Sequence, residues 1–361
     1  MADFFLCATF LGLLAVIQPL YSLTAAPAAT ASSPYLSATT LFQNYEKMLT
    51  SFKIYIYNTP QENSVSTFSA QPISLFYSSL INSQFITQDP EQAHLFYIPS
   101  PPDISARSGA RIVREIRTNY PYWNRTLGAD HFFVASNGVD SSSDRNAVEL
   151  KKNAVQISIF PTTSGNFIPH KDITLPPLNP SPLALVDEGP ATKTPSYLGF
   201  MVWDDNNKRK VSSSLVNEMK GDDEFRIESE PLDRINVIKS SKFCLFAYEE
   251  GDLTWMVEAM AMGCVPVVLV DHPIQDLPLM DVLRWSEMAL VVATRGGVRR
   301  LKEVLTGVDQ VRYQKMRELG VTASRHLVWN LEPQPHDAFH MVMYQLWLRR
   351  HTIRYGRRQW D

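Results

Sequence analysis

Residues 242–270 constrain the fold more than any other stretch. Lys242-Phe-Cys-Leu-Phe-Ala247 has the apolar run of a buried strand, residues 254–262 read as a helix, and Gly263 stands where a helix C-terminal cap belongs. Residues 265–270 are then fully apolar, as a strand covered on both faces of a parallel sheet must be. One βαβ unit results. Its first loop, Tyr248-Glu-Glu-Gly-Asp-Leu253, falls at the carboxyl edge of the sheet, where open α/β sheets bind ligands and a helix N-terminus favours phosphate. Gly251 would let backbone amides approach a diphosphate. Glu258, one turn into the helix, can accept hydrogen bonds from ribose hydroxyls, and Asp271 and His272 open onto the same edge. The plainer alternative also stands: a βαβ unit serves many functions, and a helical glutamate usually faces water.

The remainder of the chain repeats this grammar. Residues 52–57 alternate as a strand entering a core. Residues 94–98, 131–135 and 155–159 read as further strands, and residues 109–117 as a helix. Short strands alternating with helices predict parallel sheets. A proline-rich passage over residues 175–195 reads as an extended connector, after which strand 197–203 and helix 212–219 restart the pattern. Residues 338–354 are expected to form an amphipathic helix with a basic end. The expected division is a leader over 1–23, a stem over 24–45, domains over 46–182 and 183–330, and a closing segment over 331–361.

A chain of 361 residues with 45% hydrophobic content can fill two cores. The net charge of −3 and the lack of basic–aromatic interleaving exclude a nucleic-acid partner. Three cysteines cannot build a disulfide framework; Cys244 and Cys264 are the one internal pair, paired or free. No Cys/His grouping has zinc spacing, so no metal is expected. Residues 4–17 form an apolar run of signal-peptide length, extendable to residue 23 as a membrane anchor, with no Lys or Arg before Lys47. Both of these readings send the chain into the secretory lumen; a buried helix of a cytosolic protein is the plainer alternative. Asn124-Arg-Thr126 is a glycan acceptor sequon in the lumen.

Seven separated stretches carry a resemblance over residues 52–345. They are Lys53-Ile-Tyr-Ile-Tyr57, Asp89-Pro-Glu-Gln-Ala-His-Leu-Phe-Tyr-Ile-Pro99, residues 120–134, and Lys171-Asp-Ile-Thr-Leu-Pro176, followed by Ser241-Lys-Phe-Cys-Leu245, residues 257–267 and Asp337-Ala-Phe-His340. In this order they resemble the exostosin-like glycosyltransferases, glycosyltransferase family 47, of plant cell-wall type. The resemblance implies a GT-B architecture: two Rossmann-like domains facing across a cleft, with the final helix crossing back to the first. It implies inverting transfer of a sugar from a uridine diphosphate sugar to a polysaccharide, without a metal, at a Golgi membrane.

The chain departs from the family's pattern at the phosphate motif. An arginine is expected three residues before the helix glutamate, and Trp255 stands there. The basic turn after strand 197–203 is Asp204-Asp-Asn-Asn-Lys-Arg-Lys210, in which Arg209 can keep the basic role, with Lys208 or Lys210 as substitutes. The family's His-Asp-Trp after the third strand is Asn137-Gly138-Val139, leaving Asp140 as the substitute general base or a turn cap. The expected donor-binding set is therefore Arg209, Lys242, Tyr248, Gly251, Asp252, Glu258 and Asp271, with Asp140 catalytic. Loss of turnover, leaving a scaffold or partner subunit of an active transferase, is the second expectation.

Overall fold

The computed structural model describes residues 33–58, 71–162, 166–178, 194–204, 213–229, 233–248 and 250–355. The leader over 1–23, Arg209, and most of the proline-rich connector lie outside the described residues. Residues 33–361 form one compact unit.

Two five-stranded sheets, every pair parallel, make up the fold. The first runs β1 (Ile54–Ile56), β2 (Leu95–Ile98), β3 (His131–Val134), β4 (Val155–Ile159), β5 (Ile173–Leu175), in that spatial order. The second contains β6 (Tyr197–Val202), β7 (Phe225–Glu228), β8 (Ser241–Ala247), β9 (Val265–Leu269) and β10 (Leu290–Val292), in the order β10-β9-β8-β6-β7. The chain leaves β6 to one side for β7 and returns past it to β8. That reversal makes the gap between the carboxyl ends of β6 and β8 a topological switch point. The first sheet repeats the move in miniature. Ile86 bridges Ile54 on the side of β1 opposite β2, so the chain steps outward and comes back.

Helices cover both sheets. After β2 comes α3 (Ala106–Asn119), preceded in the chain by α1 (Ala38–Ser51) and α2 (Gln71–Ile81). The first half also carries α4 (Tyr122–Thr126) and α5 (Arg145–Asn153). The second half carries α6 (Ser213–Lys220), α7 (Arg234–Lys239), α8 (Met256–Ala261), α9 (Gly297–Thr306) and α10 (Gln310–Ser324). Last comes α11 (Ala338–Tyr355).

Two expectations change, and the open question of the cysteine pair is settled. The stem expected over 24–45 is folded from Ala38 onward, because Leu41, Tyr45 and Met48 put an apolar stripe into the core. The closing helix is not amphipathic: residues 341–347 are all buried, so it is wrapped rather than laid on a surface. It does return to the first half. Arg349 donates to the carbonyls of Lys171 (2.5 Å) and Asp172 (2.9 Å), beside β5. Cys244 and Cys264 are paired in a disulfide with Cα atoms 5.7 Å apart, tying β8 to the entrance of β9.

The two Rossmann-like sheets and the returning helix are the GT-B arrangement. A buried carboxylate holds the halves together at their carboxyl edges. Asp276 Oδ2 accepts from the Thr162 amide and hydroxyl, both at 2.8 Å, and its carbonyl accepts from the Thr174 hydroxyl at 2.9 Å. From the second half, the Tyr248 hydroxyl donates to Asp276 Oδ1.

Candidate functional site

The loop after β8 closes tightly. The Gly251 amide donates to the Ala247 carbonyl at 2.7 Å, and a Cβ on Gly251 would come within 2.9 Å of that oxygen. Glycine is required here by the close approach of the chain to itself. Its amide is engaged and does not point outward as a phosphate ligand, which corrects the sequence expectation. Asp252 likewise turns inward along the chain: Oδ1 accepts from the Thr254 amide (2.8 Å) and hydroxyl (2.6 Å), an Asx turn leading into α8.

Glu258 sits in the first turn of α8, fully buried. Its Oε2 accepts from Arg234 Nε at 2.9 Å, an ion pair between a 1% exposed carboxylate and a 25% exposed guanidinium. Its Oε1 is buried and has no hydrogen-bond partner among the described residues. Burial pushes the Glu258 pKa up, and Arg234 opposes that rise. A buried acceptor without a partner costs about 1–3 kcal/mol, and more when charged.

Arg234 went unnoticed in the sequence because it lies 24 residues upstream, on α7, in a segment with no phosphate-loop signature. Asp276 was equally silent: nothing local marks an aspartate that will cross-link two sheets.

Trp255, at the position where the resemblance leads one to expect arginine, is fully buried. Its ring lies 4.3 Å from Phe246 and 5.4 Å from Phe200, so it is part of the core under α8. Among the described residues its Nε1, a buried donor, has no partner, and Trp255 stands three residues before Glu258 in the chain.

The other expected residues divide. Tyr248 is at the carboxyl edge but its hydroxyl is committed to Asp276, which makes it a strut between the halves. Asp271 is at the same edge, with Oδ1 accepting from the Thr294 amide (3.0 Å) and Oδ2 from its hydroxyl (2.5 Å). Those bonds hold its carboxyl below the usual range. His272 stacks edge-on to Tyr248 at 5.8 Å. Lys242 does not join them. It is at the opposite end of β8, about 16 Å from Ala247 at roughly 3.3 Å per residue. Its ammonium lies over the Tyr313 ring at 4.7 Å and over Phe243 at 5.5 Å.

Asp140 is exposed on the turn after β3, at the carboxyl edge of the first sheet, and accepts from Asn166 Nδ2 at 3.1 Å. Gly138 in that turn has φ +73°, and Gln156 of β4 pins it by accepting from the Val139 amide at 3.0 Å. His131 is buried at the start of β3 and Asp130, just before it, is half-buried, with His131 Nδ1 2.7 Å from Asp130 Oδ1 and Nε2 2.7 Å from the Tyr57 hydroxyl. Burial keeps the His131 pKa low against the pull of Asp130. Among the described residues no group of three or more His, Cys, Asp or Glu is arranged to hold a metal ion.

Comparison with known proteins bears on these features. Residues 48–308 match the model of the exostosin GT47 domain. A probable glycosyltransferase of Arabidopsis thaliana is 25% identical over 89% of this chain, which spans 66% of that protein. A probable β-1,4-xylosyltransferase of Arabidopsis thaliana is 26% identical over 81% of this chain and 80% of its own length. A probable glucuronosyltransferase of Oryza sativa subsp. japonica is 27% identical over 81% of this chain and 78% of its own. Among solved structures, the pneumococcal O-GlcNAc transferase GtfA in complex with UDP and GlcNAc matches 80% of this chain and 60% of its own, with 11% identity and a TM-score of 0.33. That likeness is too distant to add to the fold described above.

Proposed function

The chain belongs to the exostosin GT47 family, and from that premise we propose that it is an inverting glycosyltransferase acting from a uridine diphosphate sugar onto a cell-wall or matrix polysaccharide. The observation that carries this reading is Glu258: a fully buried carboxylate at the switch-point edge, with one oxygen held by Arg234 and the other unpartnered among the described residues. A ribose supplies the hydroxyl donors that complete Oε1. Arg234, fixed by the same carboxylate, is the nearby cation for the leaving diphosphate, in place of the arginine that Trp255 displaces. Donor binding then needs no metal, because a guanidinium stabilises the departing charge. Glu258, Arg234 and Asp271 form the described part of this donor site; Arg209, which follows β6 in the sequence and lies outside the described residues, is the further cation expected for the diphosphate. Asp140, at the facing edge of the first sheet, is the base that receives the acceptor proton.

The buried disulfide supports residence in an oxidising compartment, the Golgi lumen, since cytosolic thiols are kept reduced. Residues 1–23 serve as the leader or membrane anchor. Among the described residues no helix is long and apolar enough to cross a membrane.

The test is binding of uridine diphosphate and its sugars to the purified lumenal chain by calorimetry, followed by donor hydrolysis. Binding with slow hydrolysis supports the reading; no binding and no hydrolysis across the common donors overturns it. A second reading, a member that keeps the fold as partner subunit of an active transferase, draws on Trp255, whose burial removes the expected cation from the α8 turn. It predicts nucleotide binding without turnover, and unchanged activity of a co-purifying transferase when Glu258 is replaced.

A further inference from the structure

The α3 helix carries Arg107, Arg111 and Arg114 along one exposed face, and all three line an open cavity of about 700 Å³. Ser142 and Asp144, from the segment that leaves the carboxyl end of β3, form the opposite wall. Since α3 follows β2 and this wall follows β3, the cavity opens at the carboxyl edge of the first sheet, on the same turn-bearing side as Asp140. Arg114 has a counter-ion, Asp144, at 3.6 Å. Arg107 and Arg111 have none among the described residues. Their neighbours Arg117 and Arg145 are both paired with Glu149, so the bare pair is a local exception. The helix N-terminus contributes no site of its own, because Ser105 and Ser108 cap it reciprocally.

We propose that this arginine face binds the acceptor, and that the acceptor is a carboxylate-bearing polysaccharide, one containing uronic acid residues. The inference rests on the glycosyltransferase reading above and specifies its acceptor. Three physical points carry it. Arg107 and Arg114 are seven residues apart, about 10 Å along the helix at 1.5 Å per residue. The cations are therefore spread in a row and do not converge on one compact phosphate. A row of separated charges fits a polymer whose anionic groups recur along its length. Guanidinium forks match planar carboxylates in two-point hydrogen bonds. Finally, the cavity is open, as a site that takes the middle of a chain has to be. In a protein of net charge −3, a basic row in which Arg107 and Arg111 have no counter-ion among the described residues is a local departure that steers anionic chains there.

The experiment is calorimetric titration of the full lumenal chain with a short oligogalacturonide, the same oligomer fully methyl-esterified, a neutral xylo-oligosaccharide of equal length, and a sulfated oligosaccharide. The oligogalacturonide is expected to bind and the esterified and neutral oligomers to bind at least about tenfold more weakly. Arg107→Gln/Arg111→Gln is expected to lose about tenfold or more for the oligogalacturonide, as loss of charge-assisted hydrogen bonds implies. Both positions are exposed, and an unchanged response to uridine diphosphate confirms that the variant is folded. Equal binding of the esterified oligomer, stronger binding of the sulfated one, or an unaffected double variant overturns the proposal. So does absence of oligogalacturonide binding while uridine diphosphate still binds, which leaves the transferase reading standing. Failure of the wild type to bind the nucleotide counts against that reading instead.

Discussion

Replacement of Glu258 by glutamine separates a ligand-gripping carboxylate from a structural one. Arg234 Nε donates to Oε2 at 2.9 Å, so in the variant the amide oxygen is held toward Arg234 and the NH2 group takes the place of Oε1. A donor then stands where ribose hydroxyls need an acceptor. Loss of one charge-assisted hydrogen bond is worth about 1.5–3 kcal/mol, which is about 10- to 150-fold in the Kd for uridine diphosphate. The unliganded protein should notice much less. The Arg234 contact weakens from charged to neutral, about 1 kcal/mol, while the cost of burying an under-satisfied charge is relieved. These effects oppose each other, so Tm should move by no more than about 2–4 °C. Calorimetry with uridine diphosphate and thermal unfolding without it give both numbers. An unchanged Kd, or a Tm loss several times larger than that, would show that Glu258 serves the fold and not a ligand. The same residue sets a pH dependence. Burial raises its folded pKa, so its contribution to stability is present below the ordinary glutamate range and fades as pH rises through the folded value. Nucleotide affinity should run the other way, improving over that interval as the carboxylate forms.

Three further outcomes follow from the packing. Reduction of Cys244–Cys264, or replacement of both cysteines by alanine, should cost about 2–4 kcal/mol, read as a lower denaturation midpoint; an unchanged midpoint would mean that the bridge adds nothing to β8 and β9. Trp255→Arg, which restores the family's residue type, should unfold the second half instead of improving activity, because it puts an unpaired charge against Phe246 and Phe200. Soluble protein with wild-type Tm and faster turnover would refute that. His131 is held neutral by burial, its folded pKa below the free value. Its share of stability is therefore present above the ordinary histidine range and lost as pH falls through the folded pKa. His131→Gln should flatten that acid-side decline in Tm, and an identical pH profile would count against it.

Sequence alone determined the scaffold of this protein. Strands β8 and β9 are legible because residues 243–247 and 265–269 are apolar throughout, as a parallel strand buried on both faces must be, and Gly263, at φ +80°, marks the end of α8 because glycine takes that backbone conformation at little cost. Glu258 was visible for a similar reason: its place in the first turn of a helix follows from local spacing. Short β7 and β10 left no such pattern, and α1 was hidden by small and polar flanks around three core residues. Tertiary structure decided the chemistry. It turned the Gly251 amide inward, moved Lys242 to the wrong end of its strand, gave Tyr248 to Asp276, and brought Arg234 from another helix to Glu258. Periodicity reports which way one element faces its own core. Which two elements share a site depends on how the chain crosses the sheet, and that is set by packing over the whole unit, not by neighbours along the chain.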